Sequence, residues 1–242
     1  MAGFVAADEE ADLLLAAAGR DAGRLDTLAG RRLAGEPLAW ITGTTTFCGL
    51  QIHVSPGVYV PRPHTERLAR RAAHRLPAAG LAVDVCTGSG AVAAVLAAQR
   101  PGARVLATDV DARAVACARR NGVDARRGDL LTPLPDDLAG RVDVIVGACP
   151  YVPSPELRLL QRDTFMFETP LAYAGGPDGT DLLRRIIAAA PPLLRPGGTL
   201  LLEIGAGQAN LLAPDMPRHG FTAVDVLVDE DGDVRGIEAT LG

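Results

Sequence analysis

From residue 1 to residue 38, short apolar patches alternate with charged residues. Ala11 to Leu15, then Leu25, Leu28 and Leu33, follow a spacing that predicts two or three short helices. From Trp40 to Val60 the pattern turns to β-branched and aromatic residues broken by glycine, among them Ile41, Phe47, Ile52, Val54 and Val58. That pattern predicts a β-hairpin or a small antiparallel ribbon. Pro61-Arg62-Pro63 then punctuates the chain, and Thr65-Glu66 opens a helix running to about Arg75. Beyond it, short apolar runs alternate with helical stretches. Strands are expected over 81–85, 104–108, 142–146 and 199–204. Helices are expected over 90–99, 112–121 with Gly122 as its cap, and 180–194, stopped by Arg195-Pro196-Gly197-Gly198. Apolar strands alternating with helices imply parallel βαβ units, hence an α/β, doubly wound sheet covered on both faces. The chain closes differently: residues 221–228 and 234–241 flank Asp229-Glu230-Asp231-Gly232-Asp233 and read as a terminal antiparallel hairpin, the acidic run being a solvated turn.

Composition narrows the classes of function. With 48% hydrophobic residues the chain buries a core without disulfides or a structural metal. A net charge of −5 argues against broad, nonspecific nucleic-acid binding. Arg67, Arg70, Arg71 and Arg75 recur at helical spacing and read as a solvated helix face. Cys48, Cys86, Cys117 and Cys149 lie far apart, a spacing that disfavours a zinc site and suits a reducing compartment. Neither a signal peptide nor a membrane span is legible, so a cytoplasmic location is expected.

The chemistry gathers at strand ends. The first parallel strand runs from Asp84 into Val85-Cys86-Thr87-Gly88-Ser89-Gly90, where glycines let the backbone turn sharply and approach a ligand at the next helix. The second ends in Asp109, placed to accept hydrogen bonds from both hydroxyls of a ribose; Gly128-Asp129, after the third, can present a carboxylate to an adenine amino group. Together these form one nucleoside site. Gly88 to Ala93 also satisfies the dinucleotide pattern, which makes a nicotinamide enzyme the competitor. Against it stand Asp84, placed to hold an amino-acid ammonium that a dinucleotide lacks, and the terminal hairpin, expected of class I methyltransferases. The reading is a site for S-adenosylmethionine.

Several segments together resemble the HemK/PrmC-like release-factor glutamine N5-methyltransferases. They are Arg32 to Gly43, Val58-Tyr59-Val60-Pro61-Arg62-Pro63-His64-Thr65-Glu66, Asp84 to Gly90, Pro150-Tyr151-Val152-Pro153, Glu168 to Ala172 and Gly175 to Gly179. The resemblance implies a short helical segment (1–38), a hairpin linker (39–62) and a methyltransferase domain (63–242) with a Rossmann-like sheet. It implies S-adenosylmethionine as cofactor, with S-adenosylhomocysteine as product and no metal, held by Asp84, Gly88 and Gly90 at the methionine, Asp109 at the ribose and Asp129 by the adenine. Arg62, Thr65, Cys86, Thr87, Val110, Gly128 and Leu130 complete that shell. The implied partner is a peptide chain release factor or another protein glutamine.

Two features depart from the family pattern. Its N-P-P-Y motif, whose asparagine holds the amide NH2 of the acceptor glutamine, reads here Ala148-Cys149-Pro150-Tyr151. The Cys149 carbonyl survives, but the side-chain oxygen at position 148 is gone; losing the partner of a buried donor costs on the order of 1–3 kcal/mol. The helical segment before the linker is also shorter than in most members. A small-molecule methyltransferase with an altered acceptor pocket, or a noncatalytic cofactor-binding protein, therefore stands as the alternative. Cys149 reads as a small buried thiol, His64 either as a base or acceptor contact or as a loop residue over the cofactor pocket, and Trp40 and Phe47 as packing of the hairpin.

Overall fold

The computed structural model describes residues 7–159 and 167–242; the first six residues of the expected 1–38 helical segment lie outside it. Helices α1 (Ala7–Ala18) and α2 (Ala22–Leu33) come first, α2 capped by Asp21, whose side chain accepts from the Arg24 N–H. They close a small cluster of Leu14, Ala18, Leu28 and Ile41. Next comes a short helix, α3 (Leu38–Thr42), and then the two-stranded hairpin of β1 (Thr44–Phe47) and β2 (Leu50–His53). The hairpin is thus shorter than the 40–60 pattern predicts. Pro37 starts a helical turn that takes in Trp40 and Ile41, and Gly43, at φ +82°, ends it. The Trp40 indole N–H donates to the Val58 carbonyl at 2.9 Å, so aromatic and β-branched residues here pin an extended loop instead of pairing as strands. The turn itself, Cys48-Gly49 with both φ positive, has the twist that two-residue hairpins favour.

The remainder is a seven-stranded sheet. Its strands are β3 (Leu81–Val85), β4 (Arg104–Asp109), β5 (Asp124–Arg127), β6 (Val142–Gly147), β7 (Leu194–Glu203), β8 (Phe221–Val228) and β9 (Val234–Leu241). They lie in the order β5-β4-β3-β6-β7-β9-β8, parallel through β7 and antiparallel at β9 and β8. Helices α4 (Thr65–Arg75) and α5 (Ala91–Gln99) cover one face with Ala82, Val144, Val146 and Leu201. Helix α7 (Asp181–Ala189) covers the other with Val83, Val85, Ile145, Leu200 and Leu202. Alternate residues of each strand thus bury on opposite faces, which is why the strands read as continuous apolar runs. Helix α6 (Ala112–Arg120) closes the flank over β4 and β5. The expected helix over 180–194 ends at Ala189, because Pro191 and Pro192 cannot continue it, and β7 begins at Leu194, ahead of the expected start.

Of the arginines expected as a solvated face, Arg71 and Arg75 instead clasp Glu238 of β9, itself 2% exposed, with Arg71 Nε to carboxylate at 2.5 Å. The acidic turn is held by Asp229, which accepts from the Asp231 and Asp233 N–H groups and from Arg235.

Candidate active site

The chain runs outward from β3 through β4 to β5, then crosses back to lay β6 on the other side of β3. Loops leaving β3 and β6 therefore diverge to opposite faces, and a crevice opens at their carboxyl ends. A cavity of about 310 Å³ lies there. It takes in Thr65, Asp84, Cys86, Thr87, Gly88, Asp109, Val110, Asp129, Leu130, Ala148 and Pro150 of the residues expected from sequence.

Asp84 is 1% exposed and accepts from the Thr87 hydroxyl at 2.5 Å and the Ala93 N–H at 3.1 Å. Burial pushes its carboxyl up to about 7, against the pull of those hydrogen bonds and with help from the nearby Asp109 charge. Asp109 accepts from the Gly88 N–H through one oxygen and from the Asp111 N–H through the other, both at 2.9 Å. Its carboxylate thus ties the glycine loop to the end of β4, and burial raises its pKa. Asp129 is half exposed and ion-paired to Arg185. Of the three described non-glycine residues with positive φ, Cys86 (+58°) and Leu130 (+49°) lie in this cavity wall, a strain that the surrounding strand ends must hold. Gly90, at φ +83°, backs the cavity without lining it: a Cβ there would stand 2.9 Å from the Ala118 methyl and 3.0 Å from the Ala118 Cα, so α5 and α6 pack closely only around a glycine.

Other expected residues sit differently. Arg62 faces away from the cavity: its guanidinium pairs with Glu168, donates to the Tyr173 hydroxyl at 2.7 Å and lies 4.8 Å over the Tyr59 ring. Gly128 lies behind the wall against Pro133. Cys149 is 1% exposed, its thiol directed at the Val85 carbonyl at 3.5 Å and its pKa pushed far up by burial and by Cys86 beside it. Tyr151 turns its hydroxyl toward Glu203, and burial followed by that negative charge raises its pKa.

Three residues escaped the sequence reading as parts of the site. Glu168, 3% exposed, accepts from the Val60 N–H at 2.8 Å, from Arg62 and from the Tyr173 hydroxyl. It thereby joins the loop carrying Tyr59, Pro61 and Thr65 to the loop carrying Thr169, Leu171 and Ala172, and both loops wall the cavity. Gln208, also 3% exposed, accepts from the Gly205 N–H at 2.8 Å and donates to the Tyr151 carbonyl at 2.7 Å and the Asp178 carbonyl at 3.2 Å. Glu203 ends β7 buried. A glutamate within a predicted apolar strand end was the available signal for Glu203, and the family-like block from Glu168 to Ala172 the one for Glu168. Gln208→Leu is expected to cost about 1–3 kcal/mol by leaving the Gly205 N–H unpaired. Denaturant midpoints should record that loss, and turnover should fall while cofactor affinity stays nearly unchanged, since its three partners lie outside the cavity.

A doubly wound sheet with an antiparallel terminal hairpin, carrying acidic side chains at three successive strand ends around a glycine loop, defines an S-adenosylmethionine-dependent methyltransferase. The model of the family "Methyltransferase small domain" matches residues 50–151. The chain is 38% identical over 221 residues to the release factor glutamine methyltransferase of Geobacter sulfurreducens, covering 89% of this chain and 77% of that protein. It belongs to the release factor glutamine methyltransferase family. The fold is shared with the structure of an E. cuniculi Mtq2-Trm112 complex responsible for methylating the eRF1 translation termination factor (TM-score 0.57, 22% identity, 77% of this chain and 99% of that one). A T. thermophilus 16S rRNA methyltransferase in complex with AdoMet and guanosine shares it too (TM-score 0.54, 20% identity, 81% of this chain and 44% of that one). Among the described residues no helix is long and apolar enough to cross a membrane.

Proposed function

We propose that this enzyme methylates the side-chain amide nitrogen of a glutamine in a peptide chain release factor, producing S-adenosylhomocysteine. The observation that carries the reading is the likeness, over most of both chains, to an enzyme named for that substrate, joined to a cavity whose acidic end meets Ala148 and Pro150.

The cavity fits the cofactor chemically. Asp84 offers a buried carboxylate to the ammonium of the methionine part. Asp109 has each oxygen oriented by one backbone N–H and keeps its remaining lone pairs for the ribose hydroxyls. Val110 and Leu130 supply apolar faces for the adenine, with Asp129 at the rim. When bound, S-adenosylmethionine supplies an electrophilic methyl group on a sulfonium, a good leaving group that calls for no metal. The protein's task is to hold the acceptor nitrogen in line, exclude water and accept its N–H bonds. Pro150 shapes the acceptor side, and the Cys149 carbonyl accepts from the amide. A second groove, of about 570 Å³, opens between α1, α3 and β1 and reaches Arg62 and Glu168, which offers a protein acceptor a surface beside the cavity.

The direct test is methyl transfer from labelled S-adenosylmethionine to a purified release factor, with Ala148→Asn alongside. Labelling of the glutamine by the wild type is the expected result. If only Ala148→Asn labels it, the natural acceptor is a different amide. If neither does, the protein-glutamine reading fails and small-molecule acceptors take its place.

Asp84 also gives the enzyme a pH signature. Its carboxyl titrates near 7 in the folded, cofactor-free protein, well above the roughly 3.9 of an unfolded aspartate. The unfolded chain therefore releases this proton first, and Asp84's contribution to apo stability declines as pH rises from about 4 to 7. Cofactor binding runs the other way, because an ammonium favours the carboxylate: affinity should fall by up to about tenfold per pH unit below 7. Calorimetry between pH 6 and 8 on wild type and Asp84→Asn checks this; an equal slope in both would remove Asp84 from the ammonium site.

A further inference from the structure

Glu203 stands at the carboxyl end of β7 with its side chain 4% exposed. One carboxylate oxygen lies 3.2 Å from His64 Nε2. The other, Oε2, is buried and has no hydrogen-bond partner among the described residues. A buried carboxylate oxygen without a donor is costly, and such a position persists where a ligand supplies the missing donor.

Strand register shows where that donor would come from. The last aligned pair of β6 and β7 is Gly147 with Leu202, so Ala148 and Glu203 follow as neighbours on adjacent parallel strands. Residues two positions earlier, Val146 and Leu201, both pack on the α4–α5 face, and the strand alternation assigns Ala148 and Glu203 to that same face. Ala148 lines the cavity there with Thr65 and Val92, while His64, at the start of α4, closes on Glu203 from outside. Tyr151, the last residue of the Ala-Cys-Pro-Tyr segment, also turns its hydroxyl toward Glu203 without closing a hydrogen bond to Oε2.

A primary amide brought beside Pro150 carries two N–H donors. The Cys149 carbonyl can take one of them, and the Ala148 methyl can take neither. We propose that Glu203 Oε2 accepts the second N–H of the acceptor amide, supplying from the neighbouring strand the oxygen that Ala148 lacks. This rests on the glutamine reading above and assigns its specificity to a residue outside the motif segment. A carboxylate is also a stronger acceptor than a neutral amide oxygen, so the bond orients the nitrogen firmly. Two amide N–H groups matched to two oxygens select a primary amide over an ester or an acid of the same shape.

The experiment is a double-mutant cycle on the whole enzyme with purified release factor. Glu203→Gln, Ala148→Asn and the combined variant are compared with wild type for kcat/KM. Release-factor affinity is measured by calorimetry in the presence of S-adenosylhomocysteine. Glu203→Gln keeps the volume but places an NH2 where the acceptor's N–H must bond. It is expected to lower kcat/KM and release-factor affinity at least tenfold when made in the wild-type chain. When made together with Ala148→Asn, which restores a side-chain oxygen to the motif, the loss should shrink to within threefold. Equal losses in both backgrounds would show Glu203 to be a structural residue and overturn the assignment, as would no loss in either. If neither wild type nor Ala148→Asn labels the release factor, the substrate reading has failed and this assignment falls with it.

Discussion

Replacing Asp109 with alanine is expected to weaken S-adenosylmethionine binding by tenfold or more. Hydrogen bonds to a charged acceptor contribute roughly 1.5–3 kcal/mol, which corresponds to about ten- to a hundredfold or more in affinity. The structure adds a second cause to the one visible in sequence. Asp109 is also the acceptor for the Gly88 N–H at 2.9 Å, so its removal frees the glycine loop as well as the ribose contact. Asp109→Asn separates the two effects. Its side-chain oxygen can still accept from Gly88, while its NH2 meets the Asp111 N–H, which loses its acceptor, and the ribose contact loses its charge. The asparagine variant should therefore lose less melting temperature than the alanine variant, which frees both N–H groups, while losing most of the affinity. Calorimetry and thermal melts on both variants decide this, and unchanged affinity in Asp109→Ala would remove the ribose from this carboxylate.

Glu168→Ala is expected to have the largest effect on stability. It would strand the Arg62 guanidinium, the Val60 N–H and the Tyr173 hydroxyl, three donors that share one buried carboxylate. Removing one partner of a buried pair costs about 3–5 kcal/mol. Arg62 keeps 29% of its side chain in solvent, so the low end, about 3 kcal/mol, applies. For a chain of this size that lowers Tm by roughly 6–12 °C. Cofactor affinity and turnover should fall with it, because Glu168 fastens together two loops that wall the cavity. Arg62→Met combined with Glu168→Ala should be less harmful than the sum of the two single changes, since the first removes the charge that the second leaves unpaired. Strict additivity would mean that the pair does not act as a unit.

Arg62 shows where sequence reading reaches its limit. The family resemblance of the Pro-Arg-Pro segment implies a place for it in the cofactor shell. Its partner, Glu168, lies 106 residues away in sequence, and nothing local announces that the two meet. Trp40 illustrates the same limit at the level of secondary structure. An aromatic in a β-branched run reads as strand, yet its indole hydrogen bond to Val58 and the Pro37 helix start placed it in a helical turn. That Asp84, Gly88 and Asp109 gather around one cavity was legible because the parallel strands leading to them are continuous apolar runs with sharp glycine or acidic ends.

The sequence by itself determined the alternation of strands and helices, the terminal hairpin, the acidic strand ends and the family, because each is written in a local period or a contiguous motif. The tertiary structure alone decided which buried polar groups find partners. Glu168 gathers three donors, Gln208 binds three backbone groups, and Glu203, next to Ala148 in strand register, is left with an oxygen unpaired among the described residues. Hydrophobic patterning is set by neighbours three or four residues along a helix and two along a strand, so one chain segment suffices to read it. Hydrogen-bond satisfaction in the interior depends on atoms that only folding brings within about 3 Å of one another.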